Sequence, residues 1–343
     1  MNEDTLRTTA AALTANAKGL LAMDESNPTA DKRLAALGIA QTSEMRRAYR
    51  DMIVNAPGLA ESIGGAILYD ETIRTKTFAD LAFAQALEKV GIIPGIKVDA
   101  GARPLALHEG ELVTEGLDGL RERLAEYSTM GARFAKWRAV ITIDDSRDAP
   151  SRGCLEANAQ ALARYAALCQ EADIVPIVEP EVLMDGAHTL ARCAEVTERA
   201  LACVFEALRT QRVLLEGMIL KPNMVVPGLR CPTQDDVDTV ADATVRTLRR
   251  SVPAAVGGIA FLSGGQAAPD ASARLNAMHV RHAGELPWPL AFSFARAIQD
   301  PAMKAWAGKK ENVLVAQKAL VDRAHLNRLA RLGQYTVAME TPH

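Results

Sequence analysis

The chain has 343 residues, of which 49% are hydrophobic, 24% charged and 4% aromatic, and its formal net charge is −3. That length and apolar fraction suit a globular chain with a large core, which one α/β barrel domain can hold. The slightly acidic balance argues against nucleic-acid binding, and no apolar run is long enough to span a membrane. Cys154, Cys169, Cys193, Cys203 and Cys231 are an odd set without a C-x-x-C spacing, so they read as reduced thiols of a cytoplasmic protein. Met1-Asn2-Glu3-Asp4 is acidic and starts no signal-type apolar stretch.

Residues 4 to 18 read as a helix capped at Asp4 or Thr5. Gly19 to Asp24 is a short apolar run that ends on a carboxylate. A helix with Lys32 and Arg33 in its first turns follows, then one over 43–55. Apolar runs ending on a charged or polar group recur at 65–70, 92–99, 133–141 and 174–181. They recur again at Leu214 to Met224, where Lys221 closes the run, and at 257–265 and 288–294. Helix-like segments fall between them, near 76–90, 116–130, 155–172, 188–211, 234–251, 270–279 and 296–306. Eight apolar strands alternating with helices argue for a parallel sheet covered by helices, and eight strands close a (β/α)₈ TIM barrel. An open doubly wound sheet is the alternative, but no G-x-G-x-x-G follows the first strand. No linker or composition shift divides the chain. Residues 1–343 therefore read as a single barrel domain, with a short N-terminal helix and a loose tail from about 334.

In such a barrel the C-terminal strand ends share the face where chemistry sits. In order, these ends present Asp24, Asp70, Lys97 with Asp99, Lys136 with Arg138, Glu179 with Glu181, Lys221, Ser263 and Ser293. Strands covered by helices offer no water to a lysine or glutamate, so these side chains must face something polar. A spacing of two puts each charged pair on one face of its strand. Pro222 can continue neither ladder nor helix, so the Lys221 strand stops there. A lysine at the end of a buried strand loses hydration, which favours its neutral form, and a neutral amine can attack a carbonyl to form a Schiff base. Lys97, Lys136 and Arg138 nearby would repel its charge and add to that preference. Glu179 and Asp24 would then move protons, since dehydration of a carbinolamine needs an acid and C–C cleavage needs a base. The plainer readings are a solvated lysine past a strand end and ion pairs that cap the barrel core. Charge on so many strand ends argues against both.

Leu262-Ser263-Gly264-Gly265-Gln266 follows the seventh strand. Two glycines let backbone N–H groups approach an anion, and barrels often bind phosphate in the loops after strands seven and eight. Arg296, after the eighth strand, would give that phosphate a forked partner. Otherwise Ser-Gly-Gly is an ordinary turn. Across the mouth Ser26, Thr29, Lys32 and Arg33, with Lys97 beyond, would hold a second phosphate. Read plainly, they are a capped, solvated helix start after an Asn27-Pro28 turn.

Together these residues resemble the class I (Schiff-base) fructose-1,6-bisphosphate aldolases. The resemblance rests on Gly19 to Ser26, Gly95-Ile96-Lys97-Val98-Asp99, Phe134-Ala135-Lys136-Trp137-Arg138, Ile174 to Glu181, Leu220-Lys221-Pro222-Asn223-Met224, Phe261 to Gln266, and Lys304-Ala305-Trp306 with Gly308 to Asn312. It runs from about residue 19 to 335. It implies a cytoplasmic lyase of glycolysis and gluconeogenesis, with no metal and no bound organic cofactor, usually a homotetramer. The implied reaction is reversible cleavage of fructose 1,6-bisphosphate to dihydroxyacetone phosphate and glyceraldehyde 3-phosphate. By matched position Lys221 resembles the Schiff-base lysine, Glu179 the acid/base for dehydration, and Asp24 the group acting at the C4 hydroxyl. Lys136 and Arg138 line the centre, with Glu181 in support. Ser263, Gly264 and Arg296, with Gly265 beside them, resemble the C1-phosphate site. Ser26, Thr29 and Lys97, with Arg33 following, resemble the C6-phosphate side.

The chain departs from the family pattern in two places. Ser26-Asn27-Pro28-Thr29 stands where many members have Ser-Thr-Gly-Ser; Thr29 keeps a hydroxyl while Pro28 stiffens the turn. Many animal and plant members have a longer tail ending in a tyrosine that assists proton exchange. Here the last residues are Glu340-Thr341-Pro342-His343, and Tyr335 lies too far upstream to be equated with it. Rival readings make different demands. A transaldolase-like or deoxyribose-phosphate aldolase-like barrel would share the amine but need one phosphate site. A zinc-dependent aldolase would need clustered histidines, whereas His108, His188, His279, His282, His325 and His343 are scattered. A barrel serving only as a binding scaffold would have eroded strand ends.

Overall fold

The computed structural model describes residues 1–340. The strands are β1 (Gly19–Ala22), β2 (Ile63–Leu68), β3 (Ile93–Lys97), β4 (Ala102–Pro104), β5 (Leu112–Thr114), β6 (Phe134–Ile141), β7 (Val175–Val182), β8 (Ile219–Leu220), β9 (Ile259–Phe261) and β10 (Leu290–Phe294). Eight of them close a parallel barrel in the order β1-β2-β3-β6-β7-β8-β9-β10, with β10 returning to β1. β4 and β5 form a separate antiparallel hairpin. The expected (β/α)₈ barrel is therefore the fold.

Two apolar layers hold it. Inside the barrel, Leu20, Ile67, Phe134, Ile177 and Ile219 meet Leu6, Ala10 and Leu13 of the helix Glu3–Leu13, which plugs the end opposite the charged strand ends. Outside, a larger layer fills the space between strands and helices, and Trp137 packs there against Tyr165 with ring centroids 5.5 Å apart. Every residue of β2 and β7 is buried, as expected of strands apolar on both faces. The Phe134 ring needs a glycine opposite: a Cβ on Gly95 would lie 2.2 Å from Phe134 Cε2.

Several local expectations change. The first helix ends at Leu13, because Asn16 and Ala17 turn the chain into β1 with φ of 56° and 55°. Its cap is Asn2, whose Oδ1 accepts from the Thr5 N–H at 3.1 Å, in place of Asp4 or Thr5. The segment 76–90 is helical over Phe83–Lys89. The hairpin and the long helix Val313–Arg331 escaped the sequence reading. Gln317, Arg323 and Asn327 lie on that helix's buried face and blur its apolar stripe.

In the segment from 334, Gln334 and Thr336 to Met339 are exposed, but two residues are tied down. Tyr335 is 4% exposed; its N–H donates to Asn276 at 2.9 Å and its hydroxyl meets Glu340 at 2.7 Å. Glu340 also pairs with Arg323 at 2.5 Å, so the chain is held through that residue. Thr341, Pro342 and His343, the end of the expected tail, lie outside the described residues. Among the described residues no helix is long and apolar enough to cross a membrane.

Gly95→Ala forces the Phe134 ring or β3 to move, and should cost about 1–3 kcal/mol. Urea unfolding of parent and variant checks this; equal midpoints would show that the ring yields freely.

Candidate active site

The charged strand ends converge at one end of the barrel. Lys136 on β6 is the centre: its Nζ lies 2.8 Å from Asp24 Oδ2, just past β1, and 3.1 Å from Glu179 Oε2 on β7. The other carboxylate oxygen of Glu179 lies 3.2 Å from Lys221 Nζ. Negative and positive groups thus alternate along Asp24, Lys136, Glu179 and Lys221, and all four are buried. Register explains the meeting. Lys136 pairs with Ile177 and Arg138 with Glu179, so inward side chains of β6 and β7 interleave. The Lys221 N–H donates to the Val178 carbonyl at 2.8 Å, which carries the β7–β8 ladder up to the lysine.

The charges tune one another. Burial alone would raise the Asp24 carboxyl, but Lys136 and Lys221 overcome it and lower its pKa from 3.8 to about 2. Burial likewise opposes ionisation of Glu179, yet Lys136, Lys221 and Arg138 hold it below the usual carboxylate value. Burial would neutralise Lys136, but Asp24 and Glu179 raise its pKa well above the ordinary lysine value. Arg138 pairs with Glu181, which more than offsets the burial of its guanidinium.

The expectation that Lys97, Lys136 and Arg138 repel the charge of Lys221 left out the carboxylates that pair with them. Each has its own carboxylate: Lys97 Nζ lies 2.5 Å from Asp99 Oδ1, Lys136 has Asp24 and Glu179, and Arg138 has Glu181. For Lys136 burial is the reason, since an unpaired ion in a dry interior costs several kcal/mol.

A cavity of about 510 Å³ opens over these groups. Lys221, Glu179, Asp24, Lys136, Glu181 and Arg138 line it, as do Ser263, Gly264, Arg296, Thr29 and Arg33. Gly265 lines an adjoining cavity of about 700 Å³ that shares Ser263 and Arg296. Gly264 and Gly265 have φ of 61° and 103°, a backbone that side chains rarely adopt, so the turn after β9 requires both glycines. Lys97 and Ser26 line neither cavity. Lys97 is tied to Asp99, and Ser26 shares a 3.1 Å hydrogen bond with Thr29 at the start of the helix Asn27–Ala35.

The family described as "Fructose-bisphosphate aldolase class-I" matches residues 5–343. The chain belongs to the class I fructose-bisphosphate aldolases. The "Probable fructose-bisphosphate aldolase class 1" of Xanthomonas axonopodis pv. citri is 54% identical over 336 residues, 98% of this chain and 99% of that protein. The "Fructose-bisphosphate aldolase, cytoplasmic isozyme" of Cicer arietinum is 48% identical over 332 residues, 97% of this chain and 92% of that protein. Among solved structures, the fructose-bisphosphate aldolase of Plasmodium falciparum, in complex with TRAP and a small-molecule inhibitor, superposes with a TM-score of 0.95. It is 46% identical, over 97% of this chain and 95% of that one.

Within this aldolase the sequence reading missed the groups that support the site. Glu25, next to Asp24, pairs with Arg33 and, at 3.2 Å, with Arg50. Gln299 accepts from Arg33 at 3.0 Å and from the Tyr49 hydroxyl at 2.8 Å. Arg33 also bonds Asp300 at 2.9 Å, so its guanidinium is committed to protein partners. Asn223 accepts from the Val182 N–H at 3.0 Å and braces the loop after Lys221 against β7. These partners are far apart in the chain, and no local pattern marks them. Ser293 was visible as a strand end; it is buried, lines the cavity, and its Oγ has no protein partner.

Asp24 is held ionised, so it stabilises the fold above its unfolded value near 3.8, and that contribution fades as the pH falls towards about 2. Between about pH 4 and pH 2 the parent should lose about 2 kcal/mol more stability than Asp24→Asn. Urea titrations across that range check it; parallel losses would mean that the Lys136 pairing does not govern Asp24.

Proposed function

We propose that this chain cleaves fructose 1,6-bisphosphate reversibly to dihydroxyacetone phosphate and glyceraldehyde 3-phosphate through a Schiff base on Lys221. The observation that carries this reading is the buried chain of Asp24, Lys136, Glu179 and Lys221, with two amines and two carboxylates in alternation. Lys221 Nζ must shed a proton before it attacks, and Glu179 Oε1 at 3.2 Å is the acceptor within reach. The amine adds to the C2 carbonyl. Glu179 then returns a proton to the carbinolamine hydroxyl, and water leaves. The resulting iminium is the electron sink. Asp24 takes the C4 hydroxyl proton, the C3–C4 bond breaks, and its electron pair moves into an enamine on Lys221. Glyceraldehyde 3-phosphate departs. Protonation at C3 and addition of water then release dihydroxyacetone phosphate. Lys136 holds Asp24 and Glu179 ionised between steps, while Arg138 with Glu181 borders the sugar.

Ser263, Gly264, Gly265 and Arg296 would hold the C1 phosphate, where positive-φ glycines expose backbone N–H groups beside a guanidinium. Ser26, Thr29 and Lys97 would hold the C6 phosphate on the opposite side; of these Thr29 lines the cavity, together with Arg33, whose guanidinium is paired with Glu25 and Asp300. In this reading no metal and no organic cofactor takes part, because the lysine adduct supplies the electron sink. The enzyme works in the cytoplasm, in glycolysis and gluconeogenesis, on phosphorylated sugars and with neither nucleic acid nor membrane as partner. It works as a homotetramer; light scattering should give the mass of four chains, and a monomer would refute the assembly.

Borohydride added with dihydroxyacetone phosphate should leave its mass on the peptide carrying Lys221, and a chelator should leave cleavage unchanged. Glu179→Gln should slow cleavage by about 10²–10⁴-fold. Label on another lysine, or none, would refute the mechanism.

A further inference from the structure

The barrel closes where β1 meets β10, and the register pairs across that seam are Leu20↔Ser293 and Leu21↔Phe294. β7 and β8 likewise share two pairs and β8 and β9 one, whereas β6 and β7 pair along their whole length. The seam separates two groups that must act on one substrate. Asp24 follows β1, and Arg296 opens the helix Arg296–Trp306 after β10.

Gln299 bridges this gap. It sits one turn into that helix and is 0% exposed. Its Nε2 donates across the seam to the carbonyl of Ala22, the last residue of β1. Its Oε1 accepts from Arg33 at 3.0 Å and from Tyr49 at 2.8 Å. Arg33 reaches back to Asp300 on the same helix and to Glu25, the residue after Asp24. An amide suits this place because it presents a donor and an acceptor together. A carboxylate has no N–H for the Ala22 carbonyl, and an apolar side chain has neither group. The helix itself is anchored by buried Ala297, Ile298, Ala302, Met303 and Trp306, whereas past Leu21 the end of β1 pairs with β2 and has no register pair with β10, so the bridge is what ties it to this helix.

We propose that Gln299 is a positioning residue: it sets the distance from Asp24 to the phosphate anchor at Arg296 and touches no substrate itself. This rests on the roles proposed above for Asp24, Arg296 and Lys221. Lys221 is held from the far side, through β7 and β9. Loss of the bridge therefore misplaces the group that acts at C4 and leaves the amine that acts at C2.

The test separates those two steps. Gln299→Met keeps the length of the side chain and removes its hydrogen bonds. A misplacement on the order of 1 Å costs about 10²-fold, so kcat for fructose 1,6-bisphosphate cleavage should fall by about that factor. KM, and the rate of borohydride trapping of dihydroxyacetone phosphate on Lys221, should change little. An unchanged kcat overturns the proposal. A parallel loss of trapping and cleavage also overturns it, because that is what general structural damage produces. Should Gln299→Met fail to fold, Tyr49→Phe removes one donor to Oε1 and keeps the ring against Trp306. It should show the same split at smaller amplitude, and its absence overturns the proposal. If the parent itself is not trapped at Lys221, the mechanism falls and takes this inference with it. If the parent is trapped and the variants match it in cleavage, only the role of Gln299 falls.

Discussion

A single buried ammonium organises this end of the barrel. Lys136 lies between Asp24 and Glu179, and Glu179 reaches on to Lys221. None of these charges would be tolerable alone in so dry a place, because desolvation opposes each of them. Alternation removes the objection, since every charge has an opposite charge within hydrogen-bond range. The same alternation gives Glu179 two amine neighbours, Lys136 and Lys221, both lining the cavity. A carboxylate placed between two amines can pass a proton towards one while the other keeps it in place.

β6 and β7 show how the fold brings stability and chemistry together. Inward residues of β6 run Phe134, Lys136, Arg138 from the plugged end to the open end. Those of β7 run Val175, Ile177, Glu179, Glu181. Each strand thus begins as core and ends as site, with a spacing of two throughout. The alternate residues, such as Trp137 and Val178, pack outward beneath the helices. The Phe134 ring fills the barrel below Lys136, and Gly95 leaves room for it. A rigid floor of this kind holds the ion chain in register, which a reaction dependent on sub-ångström placement requires.

The seam between β1 and β10 has two register pairs, as β7–β8 has, and buried side chains reinforce it: Gln299, Arg33, Glu25, Arg50 and Tyr49. Arg33 stands at the rim where a phosphate ligand was expected, but the carboxylates of Glu25 and Asp300 already occupy its guanidinium. A cation so neutralised contributes more to holding the rim together than to attracting an anion.

The eight apolar runs, their charged ends and the same-face pairs Lys136/Arg138 and Glu179/Glu181 were legible in the sequence, because strand periodicity is local and survives without tertiary contacts. The glycine turn after β9 was legible for the same reason: its conformation belongs to the residues that make it. The partners of the charges were not. Gln299 lies 266 residues from Arg33, and nothing in either neighbourhood announces the other. The cations expected around Lys221 are each paired with a carboxylate, a partnership that sequence spacing did not show. The Val313–Arg331 helix was hidden because polar residues occupy its buried face, and the anchoring of Tyr335 and Glu340 depends on partners distant in the chain. Local pattern therefore decided which residues reach the mouth of the barrel. Which opposite charge each one meets there, and how far apart they stand, was decided only when strands distant in sequence came into register.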